Sequence, residues 1–213
     1  MIRREEHECP LCGERFFQEA PASGSSCGMW LDFQLAGAVA SPRDWPECPK
    51  DGFILHREFS WEEVETLRPF IASWQYQTLR GSSPQYWRID RMEKELGVPL
   101  RERADILLQT TWQASQHNYT FFAGMALKAF RERMASSAAG GERRDRFVRD
   151  CMVTGELYRR LGFFDKAEAL FARLVSTPQV ATDAFCRKYV ERQLHLIGEQ
   201  DDGSRLLDDA LTV

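Results

Sequence analysis

Two short turns in the first quarter of the chain nearly repeat one another. The first is Cys9-Pro10-Leu11-Cys12-Gly13, and the second is Cys48-Pro49-Lys50-Asp51-Gly52. In the second turn, Asp51 occupies the position of the cysteine that would complete a Cys-x-x-Cys pair. A structural zinc ion takes four ligands in a tetrahedron, and two Cys-x-x-Cys turns supply them as two pairs. The sequence therefore predicts three thiol ligands and leaves the identity of the fourth open.

Four side chains are candidates for the fourth ligand. Asp51 occupies the position that the turn geometry requires, and a carboxylate is a permitted zinc ligand. Cys27 is a softer ligand on a glycine- and serine-rich loop, Ser23 to Gly28. His7 and His56 lie close to the two turns in sequence. Asp51 and Cys27 are favoured equally.

The predicted cofactor is thus a structural zinc ion held by Cys9, Cys12 and Cys48 together with Cys27 or Asp51. In the alternative interpretation the module has lost its metal. Asp51 then caps its own turn through hydrogen bonds to backbone amides, and the cysteines act as small buried hydrophobic residues. Redox chemistry by Cys9 and Cys12 is disfavoured because no βαβ pattern surrounds them.

Composition limits the classes of function. The chain has 213 residues, 43% of them hydrophobic, and a formal net charge of −4, which argues against a general polyanion-binding protein. The first residues lack the apolar run of a secretory signal, and the apolar stretch from Leu35 to Ala40 is too short to span a bilayer. We therefore predict a soluble cytoplasmic protein with reduced thiols, in which Cys-x-x-Cys indicates a metal or redox site rather than a disulfide.

The sequence changes character near Ser60, where a capping box begins a helical region. This change predicts a zinc-ribbon-like module with little regular structure at 1–59, an α-helical domain at 60–199 and an acidic, partly folded tail at 200–213. Ala138 to Gly141 is predicted to be a flexible break. The predicted helices cover 61–79, 84–96, 100–116, 119–134, 143–161, 164–175 and 182–197.

The fifth and sixth predicted helices carry a tetratricopeptide signature. Small residues occur there at positions where two antiparallel helices can approach closely, and aromatic residues occur at positions that fill the space between them. A glycine is predicted in the turn that connects the helices. One repeat cannot bury its own faces, so neighbouring hairpins must stack on it, and 86–116 is a weaker candidate for a second repeat. The predicted fold class is mainly α, a tetratricopeptide-like array of helical hairpins. The signature residues are Gly155, Tyr158, Gly162, Phe164, Ala167 and Phe171, followed by Pro178.

The order of the motifs resembles the bacterial family called domain of unknown function 2225. The resemblance rests on the first knuckle at 9–13, the segment Trp30 to Phe33, the second turn at 48–53 and the helices that follow. It implies a zinc-ribbon-like module followed by helical repeats, with no activity established for the family. The second turn of such proteins usually ends in a cysteine before Gly-Phe, and Asp51 departs from that pattern.

The sequence predicts a non-enzymatic interaction protein whose helical array binds a partner peptide or protein on its concave side. No Gly-rich phosphate loop, HExxH motif, nucleophile elbow or Rossmann motif is present. One alternative is a nucleic-acid-binding zinc ribbon that uses Trp30, Trp45 and a group of basic residues. A second, minor alternative is a zinc hydrolase with an open coordination position. The basic group, which more often forms a solvated helix face, contains Lys128, Arg131, Arg133, Arg143, Arg144, Arg146 and Arg149.

Overall fold

The computed structural model describes residues 2–21, 25–37, 41–137 and 144–207, and the structural statements below refer to this part of the chain. The predicted break at Ala138 to Gly141 lies outside it. The described chain is mainly helical, with a few short strands near the N-terminus. No helix in the described ranges is long and apolar enough to cross a lipid bilayer.

The N-terminal module contains two small antiparallel sheets, which were not predicted from the sequence. Strand β1 (Ile2–Glu8) pairs with β2 (Arg15–Pro21), and the first knuckle is the turn between them. Strand β3 (Ser26–Met29) pairs with β4 (Leu35–Gly37). Strand β1 was missed because it is almost entirely charged or polar, so it lacks the apolar alternation that indicates a strand.

The helices follow one another along the chain, and α3 to α7 each pack against the next. Their bounds are α1 (Trp61–Ala72), α2 (Trp74–Arg80), α3 (Gln85–Glu95), α4 (Ala104–Gln113), α5 (Gln116–Ser137), α6 (Arg144–Arg160), α7 (Phe164–Val175), α8 (Pro178–Thr182) and α9 (Ala184–Gly198).

The predicted first helix is divided into two at Ser73. The capping box at its start is confirmed, since the Ser60 side chain accepts from the Glu63 amide and Glu63 accepts from the Ser60 amide. Pro69 lies inside α1 without ending it. Ser73 ends α1 and begins α2, because its hydroxyl oxygen lies 3.2 Å from the Tyr76 amide nitrogen and caps the new helix.

The predicted hairpin at α6 and α7 is confirmed, and its glycines have the expected roles. A Cβ atom added to Gly155 would lie 2.3 Å from Cζ of Phe171, so the two helices approach too closely for any side chain there. Gly162 has a φ of +75° in the connecting turn. Ala167 and Phe171 are fully buried. The short helix α8, which begins at Pro178, was not predicted.

The N-terminal module contacts the helices at two separate places. The two knuckles share a hydrophobic cluster with α1, α2 and α3, in which Cys9, Cys48 and Phe53 are buried. The turn between β3 and β4 instead inserts Leu31 into a cluster formed by α6, α7, α8 and α9. A third cluster joins α4, α5 and α6.

The described part of the predicted acidic tail lies against strand β3. Leu206 forms an isolated β-bridge with Trp30, and the Leu207 amide donates to the Met29 carbonyl oxygen at 2.8 Å. Leu207 is buried in the same cluster as Leu31. This segment is therefore ordered up to Leu207, and the remainder of the predicted tail lies outside the described residues.

Candidate metal centre

The two knuckles have the same backbone geometry. In each turn the amide of the fifth residue donates to the carbonyl of the first, and the amide of the first donates to the carbonyl of the sixth. The fifth residue is a glycine with positive φ, +71° at Gly13 and +81° at Gly52, which a residue with a side chain adopts only at a cost. The four hydrogen bonds, each 2.9 Å long, are Gly13 N to Cys9 O, Cys9 N to Glu14 O, Gly52 N to Cys48 O and Cys48 N to Phe53 O.

Four side chains from these two turns converge on one point. The ligand atoms of Cys9, Cys12, Cys48 and Asp51 all lie within 4.8 Å of one another. The Cys12 and Cys48 sulfurs are 3.7 Å apart, and Cys9 Sγ lies 3.4 Å from Asp51 Oδ2. A tetrahedral zinc ion with Zn–S bonds of about 2.3 Å separates two sulfurs by about 3.8 Å and a sulfur from an oxygen by about 3.5 Å. These distances fit a four-coordinate site.

Asp51 combines the two roles that the sequence left as alternatives. Its Oδ1 accepts a hydrogen bond from the Phe53 amide at 2.9 Å, which caps the turn. Its Oδ2 faces the Cys9 sulfur inside the cluster. In the first knuckle the Glu14 amide, which also lies two residues after the ligand, acts to lower the pKa of the Cys12 thiol. Asp51 therefore takes the place of the second cysteine in both respects.

The surroundings favour the protonated form of the Cys9 and Cys12 thiols and the ionised form of the Asp51 carboxyl group. Burial raises the pKa of Cys9 well above its ordinary value. Burial also raises the pKa of Cys12, and the hydrogen bond to Asp51 adds to the rise. The pKa of Asp51 is lowered, because hydrogen bonds from Cys12 and Phe53 outweigh the opposing effect of its own burial. A metal ion bound here would take the place of the thiol protons.

The other predicted ligands lie outside this group. Cys27 is exposed on strand β3. The His7 ring packs against Phe16, with ring centroids 5.8 Å apart. His56 is engaged through Nε2, which lies 2.7 Å from a carboxylate oxygen of Glu93. The structure thus brings Asp51, rather than these three side chains, to the three predicted thiols.

Sequence reasoning missed the side chains that hold the second knuckle in place. Helix α2 presents Tyr76, Gln77 and Arg80 to the carbonyl oxygens of this turn, and α1 presents Arg68 to the first knuckle. The spacing of the three α2 residues places them near one face, but nothing in the sequence indicates what they contact. The bonds are Tyr76 Oη to Gly52 O at 2.7 Å, Gln77 Nε2 to Asp51 O at 2.8 Å, Arg80 Nη2 to Pro49 O at 3.1 Å and Arg68 Nη1 to Leu11 O at 3.1 Å.

Several of the residues that suggested nucleic-acid binding have structural contacts. Trp45 is half-buried and donates to the Tyr86 hydroxyl at 2.9 Å. Trp30 bridges to the C-terminal segment. Several of the arginines are held by acidic side chains between α4, α5 and α6. These ion pairs are Arg133 with Asp105 and Asp150, Arg149 with Asp105, and Arg146 with Asp105.

The fold and the cluster define a mainly helical protein whose small N-terminal module carries a ligand group able to hold a metal ion. Comparisons with protein-family models, with curated proteins and with solved structures found no match. The resemblance to family 2225 therefore stays a prediction.

Proposed function

We propose that this chain is a non-enzymatic protein-interaction module, stapled by a structural zinc ion at Cys9, Cys12, Cys48 and Asp51. Thiolate ligands favour zinc over the harder divalent cations. Four side-chain ligands complete a tetrahedron and leave no position for a water molecule, as in structural zinc sites. This ligand count favours a structural role over hydrolysis.

The surroundings of the cluster support a structural role for the metal. Cys9 and Cys48 are buried in the hydrophobic cluster that joins the knuckles to α1, α2 and α3. Helix α2 also holds the second knuckle through three side-chain hydrogen bonds to its carbonyl oxygens. A metal ion at this point would link the β1–β2 hairpin to the second knuckle, which packs against α1, α2 and α3.

The observation that carries the interaction function is the close packing of α6 and α7 at Gly155 and Phe171. Stacked helical hairpins of this kind make extended surfaces that bind other proteins. One face of α6, which carries Met152 and Glu156, is already covered by the chain itself. The Tyr189 hydroxyl lies within hydrogen-bond distance of the carbonyl oxygens of Leu31 and Met152. We therefore place partner binding on a different face of the array.

Capture of a partner in the cells that make this protein tests the proposal. The tagged chain would be cross-linked in those cells and purified, and any retained protein would be produced separately and titrated against the purified chain. We expect at least one partner that binds with a Kd of about 1 μM or tighter. Failure to retain any protein above an unrelated helical control, combined with a catalytic activity that depends on Asp51, would contradict the proposal.

A further inference from the structure

An open groove with an apolar floor lies where α5, α6 and α7 meet. Its volume is about 530 Å³, within the range of sites that bind small molecules or several large side chains. The floor is formed by Met134, Cys151 and Leu170, and Phe147 stands at the edge with 38% of its surface exposed. The groove is therefore a place where apolar side chains of another molecule can be buried.

The groove lies on the face of α6 opposite to the one that the chain covers itself. Its α6 residues include 147, 151, 154 and 158, which recur every three or four positions and so share one helix face. Residues 149, 152, 156 and 160 are displaced by about half a turn and face the opposite way. The turn that carries Leu31 is thus no obstacle to a molecule that enters the groove.

Three basic side chains line the groove, and none of them forms an ion pair with an acidic side chain in the described part of the chain. Arg131 on α5 and Arg173 on α7 form no ion pair with any described residue, and both are exposed. The Lys166 ammonium lies 4.7 Å from the centroid of the Phe163 ring and 5.9 Å from that of Tyr158. The charge of these groups contrasts with the net charge of −4 for the chain.

We propose that this groove binds an acidic peptide segment of a partner protein, which inserts one or more large apolar side chains onto the floor. The apolar floor supplies the free energy of burial, and the three cations select negatively charged residues that flank the inserted side chain. The inference rests on the proposed interaction function and names its surface and the chemistry of its partner. A neutral or basic peptide would leave the three cations desolvated without compensation.

Selection from a random-peptide display library on the immobilised full-length chain tests this inference. We expect the selected peptides to combine acidic residues with leucine, phenylalanine or other large apolar residues. The best peptide would then be labelled, and its affinity measured by fluorescence anisotropy for the wild-type chain and for single charge reversals. Arg131→Glu and Arg173→Glu should each weaken binding about tenfold, and added salt should weaken binding to the wild type.

Arg101→Glu is the matched control, because Arg101 is an exposed arginine outside the groove and undergoes the same charge change. It should leave the affinity within about twofold of wild type. Circular dichroism of all three variants checks that each remains folded. A second probe, a labelled oligouridylate, tests whether the groove binds nucleic acid instead.

The outcomes separate this inference from the proposed function. Peptides that bind the wild type and both groove variants equally would show an interaction protein with a different binding surface. Selected peptides without acidic residues, or tighter binding of the oligouridylate, would overturn the groove's assignment to acidic peptides. Failure to select any peptide would also overturn that assignment, and the proposed function would fail with it only if the cross-linking experiment also retained no partner.

Discussion

Asp51 Oδ2 lies 3.4 Å from Cys9 Sγ, while Oδ1 of the same carboxylate accepts a hydrogen bond from the Phe53 amide. One carboxylate oxygen thus orders the turn and the other is directed into the cluster. The two roles can be separated by mutation, because an asparagine retains an oxygen acceptor for the amide but loses the negative charge that makes a carboxylate oxygen a good zinc ligand.

Substitution of Asp51 should therefore change zinc content in a graded way. We expect Asp51→Asn to keep the fold and lower zinc affinity by at least about tenfold, since neutral amides are poor zinc ligands. Asp51→Cys should bind zinc more tightly than wild type, because it supplies a fourth thiolate. Elemental analysis and competition with a chromogenic chelator measure both effects.

Cys27→Ser is the control for the metal site. Cys27 is exposed on β3, outside the group of four ligand atoms. The variant should therefore bind zinc as the wild type does. Loss of zinc in Cys27→Ser, with full zinc content in Asp51→Asn, would identify Cys27 as the fourth ligand and refute the assignment made here.

Ionised Glu93 should stabilise the folded chain, and this contribution should decrease at acid pH. Burial raises the pKa of this carboxyl group, but hydrogen bonds from His56 and Arg57 outweigh it and lower the pKa from 4.5 to about 2. Because the folded-state pKa is the lower one, the stabilisation is present above pH 4.5 and is lost as the pH falls toward 2. It amounts to at most about 3 kcal/mol.

Urea unfolding of Glu93→Gln at neutral and at acid pH measures this contribution. The variant should be less stable than wild type at pH 7, and the difference should shrink as the pH approaches 2. Glu65→Gln is the control, because Glu65 forms an exposed ion pair with Arg68 and its substitution should change stability little at either pH. If the difference in unfolding free energy between Glu93→Gln and wild type does not vary with pH, the lowered pKa of Glu93 is contradicted.

Gly155→Ala should destabilise the chain through a steric clash. The new methyl group would lie 2.3 Å from Phe171, so the helices α6 and α7 would have to separate, at a cost of about 1–3 kcal/mol. Gly124→Ala is a matched control on α5, where the added Cβ meets nothing within 4 Å. It should instead stabilise the protein by about 0.5–1 kcal/mol. Thermal or urea denaturation compares the two, and equal effects would argue against close packing at Gly155.

Leu31→Ala should also be costly, although Leu31 lies in a turn between two short strands. The side chain is fully buried among residues of α6, α7 and α9, so its removal leaves a cavity that costs about 2–5 kcal/mol. Leu35→Ala is the control, since Leu35 is 43% exposed on β4 and should lose much less. Urea denaturation of both variants tests the prediction, which fails if they are equally stable.

Two local features of the fold were predictable from the sequence. The capping box at Ser60 and the glycine-containing hairpin at Gly155 and Gly162 are short-range patterns whose geometry follows from neighbouring residues. The split at Ser73 was not predicted because a single serine is compatible with a helix interior. Only the hydrogen bonds of its side chain in the folded chain make it a cap.

The candidate site was predictable in part, because short-range spacing identifies some of its ligands. The spacing of Cys9, Cys12 and Cys48 indicated a shared site, and turn geometry made Asp51 one of two favoured ligands. The choice between Asp51 and Cys27 depends on where strand β3 lies, and that is set by Leu31 and its distant contacts. The hydrogen bonds from Gln77 and Arg80 to the second knuckle likewise depend on tertiary packing that no local pattern encodes.

The contact between Leu31 and Tyr189 has a consequence for synthesis on the ribosome. The two residues are 158 positions apart, so this contact forms only after α9 has been synthesised and has emerged. Until then the cluster around Leu31 lacks the side chains that α9 contributes to it. Release of a nascent chain that stops before α9 would therefore leave apolar surface open to proteases and aggregation.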